Sequence, residues 1–79
     1  MVKPLTIHAV APDSPAAQAK VEAGSRLVSL NGRPVRDLID LRFLETAERV
    51  ELVWLDGSGA AHRARLKKPE DLPLGLGVE

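Results

Sequence analysis

Two stretches of this 79-residue chain decide its fold, Ala11-Pro12-Asp13-Ser14-Pro15-Ala16-Ala17 and Arg26-Leu27-Val28-Ser29-Leu30-Asn31-Gly32. The first predicts a turn that enters a helix, because the Ser14 hydroxyl can accept a helix amide while Pro15 has none to leave unpaired. We expect that helix to last about two turns, ending before Gly24. The second stretch predicts a strand closed by a tight turn, since Asn31 and Gly32 both tolerate positive φ.

The flanking segments extend this pattern of short strands and helices. Leu5 to Val10 is apolar and partly β-branched, which predicts a strand that ends at the first turn. Asp37 is placed to cap a second helix from about Leu38 to Ala47, with an apolar stripe at spacings of about three that consists of Leu38, Leu41 and Leu44, with Phe43 beside it.

The second half of the chain predicts a β-hairpin followed by a short final segment. Val50, Leu52 and Trp54 alternate with other residues, a Gly-rich turn follows at 56–59, and Ala60 to Lys68 alternates again. A proline-bracketed connector at 69–73 then leads into 74–79. We therefore predict one α+β domain over residues 1–79, with about five strands and two helices.

Composition excludes several classes of function. Eleven basic and eleven acidic residues give a formal charge of zero, so nothing steers the chain to nucleic acid or to an anionic membrane. The absence of cysteine excludes disulfides, thiolate zinc sites and cysteine nucleophiles. No segment approaches the roughly 20 apolar residues of a membrane span, and the start lacks the apolar run of a signal peptide, so we expect a cytoplasmic protein.

Enzyme chemistry also finds no support in the sequence. His8 and His62 are far apart, without metal-ligand spacing, and no serine lies in a nucleophile-elbow context. We therefore expect no catalytic residue, no metal and no cofactor. The basic stripe that ends the hairpin is expected to be a solvated strand face, formed by Arg63, Arg65, Lys67 and Lys68.

Taken in order, the first strand, Ser14-Pro15-Ala16-Ala17, the strand ending in Asn31-Gly32, the second helix and the hairpin resemble a PDZ domain over nearly the whole chain. The resemblance implies a partly open β-barrel or sandwich of about five strands with two helices. More narrowly, Val35 to Leu44 and the late Leu-Gly-Leu-Gly are similar to the PDZ-like domain at the start of certain bacterial radical-enzyme-like proteins of unknown function. Lys20 and Asp13 stand where PDZ domains usually have glycine. A lysine at positive φ there would cost roughly 1 kcal/mol.

The resemblance implies a peptide-binding loop at the end of the chain. Gly75-Leu76-Gly77-Val78 resembles the PDZ loop whose backbone amides hold a peptide's terminal carboxylate, and the following strand pairs with the peptide. PDZ domains usually place this loop before the strand that corresponds to Leu5–Val10, so the order here implies a circular permutation. Only Val78 and Glu79 then remain to build the recognition strand. The alternative is a Gly-rich final strand that binds no ligand.

The second helix would form the opposite wall of the groove. By its spacing from Val35, the resemblance places Leu38, Arg42 and Glu45 toward the ligand, which implies an apolar ligand residue near Leu38 and an acidic one near Arg42. The alternative is an ordinary helix face. We thus expect a noncatalytic module that binds a peptide or a protein C-terminus, at about micromolar strength. The second hypothesis is a structural domain that packs on a neighbouring catalytic domain.

Overall fold

A computed structural model describes residues 5–70 and 72–78. The order of elements is β1 (Leu5–Val10), α1 (Pro15–Gln18), β2 (Arg26–Leu30), β3 (Arg33–Pro34), α2 (Leu38–Leu44), β4 (Arg49–Leu55), β5 (Ala61–Lys67) and β6 (Leu76–Val78). The predicted α+β class with two helices is confirmed. The sheet has six strands, and the strand beyond the expected five is the two-residue β3.

The sheet is open and antiparallel, with the order β5-β4-β2-β1-β6 and β3 paired to β2. The predicted hairpin is present, with Val50 opposite Leu66 and Trp54 opposite His62. The last described strand lies beside the first, because Leu76 and Val78 of β6 are in register with Val10 and Ile7. The sheet therefore brings the two ends of the described chain together.

The first helix is shorter than predicted, a single turn rather than two. Its start agrees with the sequence, since the Ala17 amide donates to Ser14 Oγ at 3.2 Å. Its end is a Schellman motif, in which the amides of Lys20 and Val21 donate to the carbonyls of Ala17 and Ala16. Lys20 takes the left-handed position of that motif, with a φ of 66°. The helix stops there because a left-handed residue cannot continue it.

The second helix begins as predicted and ends earlier. Asp37 caps it, with Oδ1 accepting the Asp40 amide at 2.9 Å. The helix ends at Leu44 rather than at Ala47, with Glu45 as its C-cap. The Thr46 hydroxyl donates to the Phe43 carbonyl at 2.8 Å, which satisfies a carbonyl that the next helical turn would otherwise use. The predicted apolar stripe is only partly buried, because Leu41 is enclosed while Leu38 is 41% exposed.

The tight turn after β2 is also confirmed, with φ values of 52° at Asn31 and 77° at Gly32. Asn31 has a further role, because its side chain accepts the Glu51 amide and donates to the Arg49 carbonyl. It therefore ties this turn to the start of β4.

Alternating strand residues and α1 close over one apolar core. Its buried members are Leu5, Ile7, Ala16, Val21, Leu27, Leu30, Val35, Leu41, Val50, Leu52, Trp54 and Leu74. Leu76 and Val78 pack against this core from β6. The core thus holds the final segment of the described chain against β1 and α1.

Candidate functional site

The segment Leu74–Gly75 is fixed to the turn between β1 and α1 by backbone hydrogen bonds. The Leu74 carbonyl accepts the Ala16 amide at 3.0 Å, and the Gly75 carbonyl accepts the Ala11 amide at 2.8 Å. Ala16 lies in the first turn of α1, where amides have no partner inside the helix. The entry to β6 therefore satisfies a helix amide and takes a defined position.

Gly75 cannot be replaced by a larger residue without a rearrangement. Its φ is 89°, a conformation that favours glycine. A Cβ built on Gly75 would clash with the side chain of Ser14. Ser14 is itself held in place, because its hydroxyl donates to the Ala11 carbonyl at 2.6 Å. Close approach between this turn and β6 thus depends on Gly75.

The structure places the predicted loop residues in two environments. Gly75 lies in the irregular segment before β6, and Leu76, Gly77 and Val78 form β6. Leu76 and Val78 are half-buried while Gly77 is exposed, as expected for alternating strand residues. In the described part of the chain, no strand lies on the far side of β6. Glu79, the other residue of the expected recognition strand, lies outside the described residues.

The predicted groove residues of α2 separate into two positions. Arg42 and Glu45 line a cleft of about 280 Å³ together with Thr46, Glu70, Leu72 and Pro73. Leu38 is 41% exposed, near the start of the helix, and is not among the residues that line this cleft. The connector before β6 therefore forms one wall of the cleft, and the end of α2 forms the other.

Sequence reasoning missed the connection between these two walls. The Leu74 amide donates to Glu45 Oε2 at 3.2 Å. Leu74 is not among the predicted site residues, although it begins the Leu-Gly-Leu-Gly run. In the structure its side chain is fully buried. The contact joins residues that are distant in sequence, so no local pattern indicates it.

Other polar clusters have structural partners. His62 Nε2 donates to Asp56 Oδ2 at 2.6 Å, and the His62 ring stacks on Trp54. The Ser58 hydroxyl, His62 and the Ala60 amide all donate to Asp56, and they hold the pKa of its carboxyl well below the usual range. This cluster closes the β4–β5 turn. Within residues 5–70 and 72–78, no three histidine or acidic side chains come together as a metal site would require.

The exposed face of β5 carries the predicted basic stripe. Arg63, Arg65 and Lys67 are all exposed, whereas Lys68 is buried. Arg65 pairs with Glu51 at 3.0 Å, and the two border a cleft of about 350 Å³ on this hairpin. That cleft is remote in the sheet order from β6. Among the described residues, no helix has the length and apolar character that a membrane span needs.

A protein-family comparison matches residues 6–56 to the PDZ domain family. The match extends from β1 through β4 and ends at the turn before β5. Residues 74–78 lie outside it, so the family match covers the scaffold and α2 but not the predicted Gly75–Val78 loop.

Solved structures of bacterial proteins share the fold. The PDZ domain of an SdrC-like protein from Listeria monocytogenes superposes with a TM-score of 0.79 at 15% identity, covering 99% of this chain and 90% of that one. The PDZ domain of an SdrC-like protein from Listeria innocua has a TM-score of 0.75 at 16% identity, and the match covers 98% of this chain and 94% of that one. The solution structure of a Geobacillus thermodenitrificans protein has a TM-score of 0.59 at 27% identity, and the match covers 95% of this chain and 91% of that one. No curated protein matches the sequence.

Proposed function

Because this chain belongs to the PDZ domain family, whose members are generally protein–protein interaction modules, we propose that it binds a short extended peptide as an added strand. We propose that residues 1–79 form one domain, that the domain has no catalytic activity, and that it works in the cytoplasm. The observation that carries the proposal is the unpaired side of β6, which has no neighbouring strand in the described part of the chain. A ligand strand there would gain main-chain hydrogen bonds without any special side-chain chemistry.

A circular permutation explains the position of this strand in the sequence. β6 is the last described strand, yet it pairs with β1, the first one. We propose that Gly75, Leu76, Gly77 and Val78 correspond to the PDZ loop and the beginning of its recognition strand. We also propose that Val35–Leu44 corresponds to the same stretch of the PDZ-like domain at the start of radical-enzyme-like proteins.

The helix α2 supplies the proposed opposite wall. The 41% exposure of Leu38 leaves apolar surface for an apolar ligand residue. Arg42 is exposed beside the cleft at the end of the helix and offers a guanidinium to an acidic ligand side chain. The Arg42→Glu variant should therefore bind peptides that carry such an acidic residue more weakly than the wild type does. Equal affinity of the wild type and the variant for these peptides would refute the role of Arg42.

Nuclear magnetic resonance can test peptide binding directly. We expect a pool of decapeptides with apolar C-terminal residues to shift the backbone amides of Leu76–Val78 and of α2. The amides of β5, at the other end of the sheet, serve as the internal control and should not shift. Shifts confined to β5, or no shift with any peptide, would refute the proposal.

A second function is favoured by an apolar surface on the outer side of α2. Ile39 is 78% exposed and Phe43 is 72% exposed. They are four positions apart, so they lie on the same side of the helix. Arg33, Pro34 and Arg36 border Phe43 in a cleft of about 440 Å³. We propose as the alternative that this surface packs on a neighbouring domain of the same protein, without binding free peptides.

A further inference from the structure

The entry to the proposed groove already contains a carboxylate. Glu45 Oε2 accepts the Leu74 amide at 3.2 Å, directly before the Gly-Leu-Gly-Val run. Glu45 is half-buried and is the C-cap residue of α2. Because the Leu74 carbonyl is bonded to Ala16, both backbone polar groups of Leu74 have partners within the chain. The amide directly before this loop is therefore engaged before any ligand arrives.

The charges around this contact disfavour a second carboxylate. The adjoining cleft is lined by Glu45 and Glu70, with Arg42 as the opposing charge. Among the described lining residues, two carboxylates face one guanidinium, and like charges at short range repel each other. A ligand's terminal carboxylate on the amides of the Gly75–Val78 loop would lie directly beside this contact, where the Glu45 carboxylate would repel it.

We propose that Glu45 is a specificity-determining residue that directs the groove toward a segment inside a polypeptide chain rather than a free C-terminus. This inference rests on the proposed peptide-binding function. An internal segment brings no terminal charge, so it can extend past the end of α2 while Glu45 keeps its bond to Leu74. The same groove would bind a chain terminus more weakly because Glu45 opposes it.

The test compares pairs of fluorescein-labelled decapeptides that differ only at their ends. Each peptide ends in Val, Leu, Ile or Phe and is made both as the free acid and as the C-terminal amide, which lacks the charge as an internal segment does. Fluorescence anisotropy then gives Kd for the wild type and for Glu45→Gln. Glu48→Gln is the matched charge control, because Glu48 is exposed and does not line the cleft.

The wild type should bind the amides at least as tightly as the acids. Glu45→Gln should tighten binding of the acids about tenfold, because it removes one negative charge beside the ligand carboxylate, and should change binding of the amides less than twofold. Glu48→Gln should change neither form more than twofold. A wild type that prefers acids fivefold or more, or equal effects of Glu45→Gln and Glu48→Gln, would overturn the inference alone. Binding of neither form by the wild type and Glu45→Gln would instead refute peptide binding itself.

Discussion

Replacing Gly75 with alanine would place a Cβ against the Ser14 side chain at a backbone conformation that disfavours any side chain. We expect Gly75→Ala to lower the free energy of unfolding by about 2 kcal/mol or more. The matched control is Gly77→Ala, whose Cβ would lie 3.4 Å from Ala9 Cβ, an ordinary contact. That change should cost about 1 kcal/mol or less, measured by urea unfolding. Equal losses would contradict the close approach of Gly75 to Ser14.

Lys20 marks the opposite case, a residue that glycine should improve. It is exposed and takes the left-handed position that ends α1, with a φ of 66°. Lys20→Gly should raise the free energy of unfolding by about 0.5–1 kcal/mol, since the strain removed exceeds the added freedom of the unfolded chain. Lys20→Ala keeps the strained conformation and should change the free energy of unfolding by less than about 0.5 kcal/mol. A loss of stability in Lys20→Gly would show that the Lys20 side chain itself contributes.

Asp56 gives a prediction for acid pH. Hydrogen bonds from Ser58, His62 and Ala60 lower the pKa of its carboxyl in the folded state. A lowered folded-state pKa stabilises the protein above the unfolded pKa of about 4, and that contribution is lost as pH falls toward the folded value. Wild type should therefore exceed Asp56→Asn in stability at pH 7, and the gap should narrow below about pH 4. Urea unfolding from pH 7 to pH 2.5 measures it, and a constant gap would exclude this linkage.

Residues that act on their own neighbours could be predicted from the sequence. Ser14 and Asp37 cap the helices as expected, and Lys20, Asp13 and Asn31 all have positive φ. The bond between Glu45 and Leu74 could not be predicted, because it joins distant residues and depends on the pairing of β6 with β1. Helix caps and turns depend on residues that are close in sequence, whereas this contact depends on the complete sheet.

At the scale of elements, the exposed Ile39 and Phe43 of α2 separate the two proposed functions. The double variant Ile39→Ser, Phe43→Ser should leave the free energy of unfolding of the isolated domain within about 1 kcal/mol, because neither side chain is buried. If the surface packs on a neighbouring domain, the variant should weaken that association in the full-length protein at least tenfold, measured by cleaving the linker and titrating the separated parts. Leu72→Ser, also at an exposed leucine, is the control. Unchanged association would refute the docking function.

The strands were predicted more closely than the helices were. β1 and β2 have the predicted bounds, since their apolar runs end at residues that favour turns. Both helices are shorter than expected because hydrogen bonds at their ends, rather than helix propensity, set their length. The Schellman bonds after α1 and the Thr46 hydroxyl after α2 compete directly with a further helical turn.

At the scale of the whole molecule, the fold follows from the sequence while the site follows only in part. Alternation in β4 and β5 and the two turn motifs specify an antiparallel sheet, and the PDZ domain match agrees with it. Pairing between β6 and β1 is a contact between the ends of the described chain. The expectation of a strand at the end of the chain rests on the family resemblance. The three residues of β6 are too few to establish a hydrophobic periodicity.

The central claim is that a peptide adds as a strand to β6, and hydrogen exchange tests it most directly. Within Leu76–Val78, an amide that points away from β1 should exchange quickly in the domain alone. A saturating peptide should slow that exchange at least tenfold, because the amide enters a new strand ladder. The amides of β5 should keep their rates. Bound peptide without any slowing in Leu76–Val78 would contradict strand addition at this edge.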